Sequence, residues 1–114
     1  MASTTYDELK NYCDGIFDEL NAIYEGRATN DDGEPATMWD YFNDPLDFEY
    51  TVSARGDYMG VRVYVALGGP NIWIDTRRGE IGGAWGTDRA ERWLPSEIAE
   101  EIDSVFSDYY EMTK

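Results

Sequence analysis

At 114 residues the chain has room for one modest domain, and its 42% apolar side chains are enough to form a core rather than a disordered acidic tail. Its 24 acidic and 9 basic side chains leave a formal charge of −15, the wrong sign for holding nucleic acid or an anionic membrane directly. The absence of histidine and a single cysteine, Cys13, exclude an internal disulfide and argue against zinc, against a cofactor-bearing site and against an enzyme, since no imidazole is available as ligand or general base.

The opening Met1-Ala2-Ser3-Thr4-Thr5 lacks the basic start and apolar stretch of a secretion signal. No apolar run approaches the ~20 residues of a membrane span, so a soluble, cytoplasmic, single-domain protein is expected. Residues 5–25 read as an amphipathic helix: Thr5 with Glu8 has capping-box spacing, and Leu9, Cys13, Ile16, Leu20 and Ile23 recur at helical intervals. Gly26 is a natural stop. Thr29-Asn30-Asp31-Asp32-Gly33-Glu34-Pro35 is a loop by composition. A short helix over 37–43 follows, capped by Thr37, anchored by Trp39, Tyr41 and Phe42 and ended by Pro45.

The period then changes to two. Leu46, Phe48, Tyr50 and Val52 alternate with polar residues, as in a half-buried strand. A second strand over 58–67 places Val61, Val63, Val65 and Leu67 on one face. A third runs over 71–76, and a glycine-rich fourth over 80–85. Short connections between them favour an antiparallel meander. Pro95 or Ser96 opens a last helix to about Met112, with Ile98, Ile102, Val105, Phe106 and Tyr109 as its buried stripe. The expected fold is α+β: a four-stranded antiparallel sheet with an N-terminal helix, a short second helix and a C-terminal helix on one face.

The acids are unevenly spread. Residues 28–53 carry seven (Asp31, Asp32, Glu34, Asp40, Asp44, Asp47, Glu49) and no base. Residues 95–113 carry six (Glu97, Glu100, Glu101, Asp103, Asp108, Glu111), again with no base, whereas residues 54–93 set six arginines against five acids. On the first helix Asp7, Asp14, Asp18 and Glu25 project from one outer stripe. A polar outer face is the ordinary state of a surface helix; what exceeds it is the lack of interleaved lysines, of which Lys10 is one. Such rows of carboxylates can match the rhythm of phosphates along a nucleic-acid strand. They also serve solubility, and composition leaves both readings open.

Other candidates carry less. Gly68-Gly69-Pro70 leads from strand to strand and so reads as a turn rather than a phosphate loop. Trp73 and Trp85 are candidates for a shared aromatic surface on the sheet's open face, or for a packed contact. The carboxylate pairs Asp31–Asp32 and Glu100–Glu101 show no metal-ligand spacing, and Asn30-Asp31-Asp32-Gly33-Glu34 lacks the full calcium-loop pattern. No metal is expected.

The stretch Gly69-Pro70-Asn71-Ile72-Trp73-Ile74-Asp75-Thr76-Arg77-Arg78-Gly79, within residues 68–86, resembles small acidic proteins carried on bacterial mobile elements. In size, charge and architecture the whole chain is similar to anti-CRISPR and anti-restriction proteins, several of which imitate DNA with surface carboxylates. That resemblance implies a phage or plasmid counter-defence role against a DNA-binding effector or restriction enzyme. The expectation is therefore an acidic inhibitor, monomer or homodimer, that binds a basic nucleic-acid-binding protein. Its partner-binding residues would be Asp31, Asp32, Glu34, Asp40, Asp44, Asp47, Glu49, Glu97, Glu100, Asp108 and Glu111, with Trp39 and Tyr41 as aromatic anchors. The alternatives are an immunity protein for a nuclease toxin, or a small-molecule or cation-binding module using the open sheet face.

Overall fold

The structure, a computed structural model, describes residues 5–113; residues 1–4, which carry most of the N-terminal leader reading, lie outside them. Helix α1 (Thr5–Tyr24) buries Leu9, Cys13, Ile16 and Leu20, the stripe its spacing predicts. The Thr5 hydroxyl donates to the Asp88 carboxylate. Gly26 adopts φ 75°, and the following Arg27 N–H reaches back to the Ala22 carbonyl at 2.8 Å, which closes the helix.

The loop beyond is ordered by Asn30, whose side-chain oxygen accepts the backbone N–H groups of Asp32 (2.9 Å) and Glu34 (3.1 Å). Helix α2 (Met38–Tyr41) carries a full capping box: the Thr37 hydroxyl accepts from the Asp40 N–H, and the Asp40 carboxylate accepts from the Thr37 N–H.

Five strands, not the expected four, form the sheet: β1 (Asp47–Val52), β2 (Tyr58–Ala66), β3 (Asn71–Asp75), β4 (Glu80–Trp85) and β5 (Asp88–Trp93). They lie side by side in sequence order, every pair antiparallel. The strand missing from the sequence reading is β5, and the reason is its composition. Its helix-facing positions are Asp88, Ala90 and Arg92, so polar residues stand where apolar ones would mark the period. Arg92 nevertheless works as a packing residue: its guanidinium lies 4.0 Å from the centroid of the Phe17 ring and bonds Asp14 at 2.7 Å. Helix α3 (Ser96–Thr113) then returns across the same face.

Both long helices cover one side of the sheet. Helix α1 packs over β4 and β5, and α3 over β2, with Phe106 meeting Phe42 and Phe48 at 5.4 Å. Val61, Val63, Ile72, Ile74 and Ile81 complete this core. The expected stripe on the second strand breaks at its end. The register shifts between Tyr64 and Ala66, leaving Val65 half-buried and Leu67 51% exposed beyond the strand. Tyr109 is likewise 44% exposed rather than buried, at the rim of α3.

Burial, reinforced by the adjoining Asp14 carboxylate, pushes the Cys13 thiol up to about 11. Thiol-specific labelling of the native protein at about pH 8 should therefore run at least roughly a hundredfold more slowly than after unfolding. Equal rates would show that the inner stripe of α1 is open to solvent.

Candidate partner-binding surface

The tertiary structure brings together two acidic segments that are far apart in the chain. Helix α2 packs on α3, and Trp39 projects between them, 45% exposed. On one side of Trp39 is a groove of about 260 Å³ lined by Ala36, Thr37 and Ile23 against Glu101, Ser104 and Val105. On the other is a groove of about 180 Å³ walled by Phe42, Asn43 and Pro45 against Val105, Phe106 and Tyr109. Ile23 and Ala36 also border a larger hollow of about 610 Å³, where Glu19, Asp31, Asp32 and Asp40 surround Asn30, Tyr41 and Asn43. The three depressions form one strip, and among the described residues no lysine or arginine lines any of them.

Each residue expected at the interface can be placed on this frame. Asp31, Asp32 and Asp40 edge the large hollow. Glu34 is exposed on the loop beside it, and Asp44 borders an adjoining hollow with Glu19 and Tyr41. Glu97, Glu100, Asp108 and Glu111 are exposed along α3. Asp47 and Glu49 do not join the group. Because Phe48 and Tyr50 turn toward the helices, the alternation of β1 sends Asp47 and Glu49 to the opposite side of the sheet, where Glu49 accepts the Tyr64 hydroxyl at 2.9 Å. Tyr41 is half-buried against Phe42, which leaves Trp39 as the protruding ring of α2. The Tyr41 hydroxyl is pushed well above the ordinary tyrosine range by burial and by Glu19.

Two contributors escape sequence reasoning. Tyr109 falls on the apolar stripe of α3 and so reads as core; Glu101 reads as a generic carboxylate pair with Glu100. Both line grooves beside Trp39. Their positions follow from where α2 docks, which no local pattern in α3 encodes.

Asp40 is held below the usual aspartate range by the Thr37 N–H and the Asn30 amide, so it remains a carboxylate while fixing α2. The outer row of α1 is less free than its spacing implies. Asp14 lies between Arg92 and Lys10, and the Arg92 hydrogen bond lowers its pKa first of all. Its contribution to stability is complete above the unfolded aspartate range and is lost as pH falls through the lowered folded value.

Among the described residues no group of three or more histidine, cysteine, aspartate or glutamate side chains is placed to hold a metal ion. No described helix is long and apolar enough to cross a membrane. The two tryptophans proposed for a shared aromatic surface lie on opposite sides of the sheet. Trp73 faces away from the helices and lies over Gly82, whereas Trp85 follows the alternation of Ile81 and Gly83. Trp73 is only 5% exposed, covered by Arg62 and Arg89.

Carboxylate repulsion on the loop and α3 should make stability salt-sensitive. Screening shortens the Debye length from ~10 Å at 0.1 M to ~3 Å at 1 M salt, so the melting temperature should rise from low to moderate sodium chloride. A falling curve would mean that the surface ion pairs outweigh the unpaired acids.

Comparison with protein-family models, curated proteins and solved structures gives no match to this chain.

Proposed function

We propose that this protein is an acidic inhibitor that docks the α2–α3 strip into a basic, nucleic-acid-binding site on a partner protein, in the manner of phage or plasmid counter-defence proteins that imitate DNA. One observation carries the reading: an exposed tryptophan between two grooves that adjoin a third, larger hollow, bordered by carboxylates from two acidic segments and, among the described residues, by no basic side chain. Carboxylates at the rim of such a surface speed encounter with a positive partner, while a ring seated in a partner pocket slows its departure. The −15 charge makes this division of labour effective, because long-range attraction acts before any contact forms.

The test begins with capture from a host lysate, followed by DNA-competition measurements on the captured partner. Trp39→Ala should weaken binding by about 30-fold, as expected of a central aromatic anchor worth roughly 2 kcal/mol. Joint reversal of Asp31, Asp32, Asp44 and Glu101 to lysine should weaken it strongly, with the difference growing as salt falls. Asp40 is left intact because it caps α2. Reversal of Asp47 and Glu49, which point the other way, should leave this interaction almost unchanged. A partner that keeps its full DNA affinity when bound would rule out mimicry. Binding insensitive to the four-residue reversal would reduce these acids to a solubilising surface.

A further inference from the structure

Strand β5 ends the sheet, and the direction of its free backbone groups follows from the ladder on its other side. The Leu94 N–H donates to the Gly79 carbonyl at 2.9 Å, one step beyond the Glu80–Trp93 pair. Antiparallel ladders alternate hydrogen-bonded and non-hydrogen-bonded pairs. Ala90 and Arg92 therefore turn their N–H and C=O groups to β4, whereas Arg89, Glu91 and Trp93 turn theirs to the open edge. The side chains of these three residues stand on the bare face, and all are exposed, Trp93 to 70%. Among the described residues neither Arg89 nor Glu91 has an ion-pair partner, since their neighbours on β4 are Ala84 and Gly82. A row of unpaired donors and acceptors of this kind is a template for a further strand.

We propose that β5 pairs antiparallel with β5 of a second copy of this chain, about a two-fold axis at Ala90, so that two five-stranded sheets become one. Charge selects both the register and the occupant. Outward-turned backbone groups must meet outward-turned groups, so the axis has to pass through a residue of the strand rather than between two. At Ala90 it sets Arg89 opposite Glu91 of the second copy, twice by symmetry, and on the helix side it sets Asp88 opposite Arg92. At Arg89 or at Glu91 it would bring like charges face to face. The other edge of the sheet fails the same test, because β1 carries Asp47 and Glu49 and no base, and two copies would repel there. The two most acidic segments also lie away from the join: α3 packs over β2 and α2 packs on α3, toward the β1 edge. Helix α1 follows β5, with Thr5 at Asp88 and Phe17 at Arg92, so the two copies of α1 come to lie antiparallel above the joined strands. Tyr6, 46% exposed on the same helix face as Phe17, is carried to that seam. The join leaves both α2–α3 strips free, and either assignment can fail alone.

The experiment is sedimentation equilibrium of the purified chain and three variants, with amide hydrogen exchange of the wild type at low and high protein concentration. The wild type should form a reversible dimer. Arg89→Glu and Glu91→Arg should each weaken it roughly tenfold or more, because each replaces two opposite-charge pairs by two like-charge pairs. Glu91→Arg is the sharper of the two, since it lowers the net negative charge and would strengthen any association limited by overall repulsion. The double exchange, Arg89→Glu with Glu91→Arg, should restore the wild-type dimer to within about threefold. That rescue cannot come from packing on Trp73, which the Arg89→Glu change has already lost. Hydrogen exchange makes the test without any substitution: the Arg89 and Glu91 amides should gain protection as concentration rises, while those of Ala90 and Arg92, bonded to β4 throughout, should not change. A chain that stays monomeric at the highest attainable concentration, a dimer strengthened by Glu91→Arg, a dimer indifferent to both single changes, or a double exchange that rescues nothing would overturn the proposal.

Discussion

Replacing Arg62 by methionine is expected to destabilise the fold by about 3 kcal/mol, the low end of the cost of breaking a buried ion pair, because Arg62 itself remains partly accessible. The sheet register explains why so much depends on one side chain. Asp75 and Glu80 are direct cross-strand partners on the bare face, a like-charge pairing that opposes sheet formation. Asp75 is only 6% exposed. Arg62 sits opposite Asp75 on the other neighbouring strand, donates to it at 2.9 Å and approaches Glu80 at 3.8 Å. The Arg78 N–H supplies Asp75 with one further donor at 2.8 Å. Without Arg62, Asp75 would lose its one guanidinium partner and keep only the Arg78 N–H, while facing a Glu80 held by the Trp73 indole at 2.8 Å and by Arg78 at 3.9 Å. Urea unfolding should show a lower midpoint with an unchanged slope. Adding Asp75→Asn to the methionine variant should recover much of the loss. A double-mutant cycle with no coupling between these positions would refute the account.

Gly82→Ala should cost about 2–3 kcal/mol, against less than about 1 kcal/mol for Gly83→Ala next to it. In an open strand both changes would be favourable, since alanine loses less backbone entropy on folding. Here a Cβ on Gly82 would come within 2.6–2.7 Å of three atoms of the Trp73 indole. That ring cannot withdraw easily: its Nε1–H is bonded to Glu80, and the Arg62 and Arg89 guanidinium groups close over it at 4.9 and 5.6 Å. A Cβ on Gly83 would approach Ile72 Cδ1 at 2.8 Å and Leu9 Cδ2 at 3.0 Å, both flexible side-chain ends that can turn aside. The two substitutions therefore separate the two faces of β4. Equal destabilisation would mean that Trp73 is free to move and that its arginine cover contributes little.

These two residues also show how far the sequence reaches. The alternation from Leu46 onward, the 3.6-residue stripe of Leu9, Cys13, Ile16 and Leu20, and the Thr37 cap are written in local pattern, because each element must bury one face and satisfy its own ends. They determine an α+β fold with an antiparallel sheet covered on one face by two long helices. The excess of acid in residues 28–53 and 95–113 is likewise plain from the chain alone.

What the sequence by itself could not determine is which of those acids share a surface. Strand alternation removes Asp47 and Glu49 from the acidic segment to the opposite face, while the docking of α2 on α3 joins Glu101 and Tyr109 to Trp39. Strand β5 stayed hidden because Arg92 fills an inward position with its aliphatic stem and finds Phe17 and Asp14 only after α1 has packed. Trp73 reads equally as an exposed ring or as a packed contact until Gly82 is seen beneath it and Arg62 and Arg89 above it. Local pattern records what each residue needs, burial or a partner; which distant residue meets that need is decided only when strands pair in register and helices settle on the sheet.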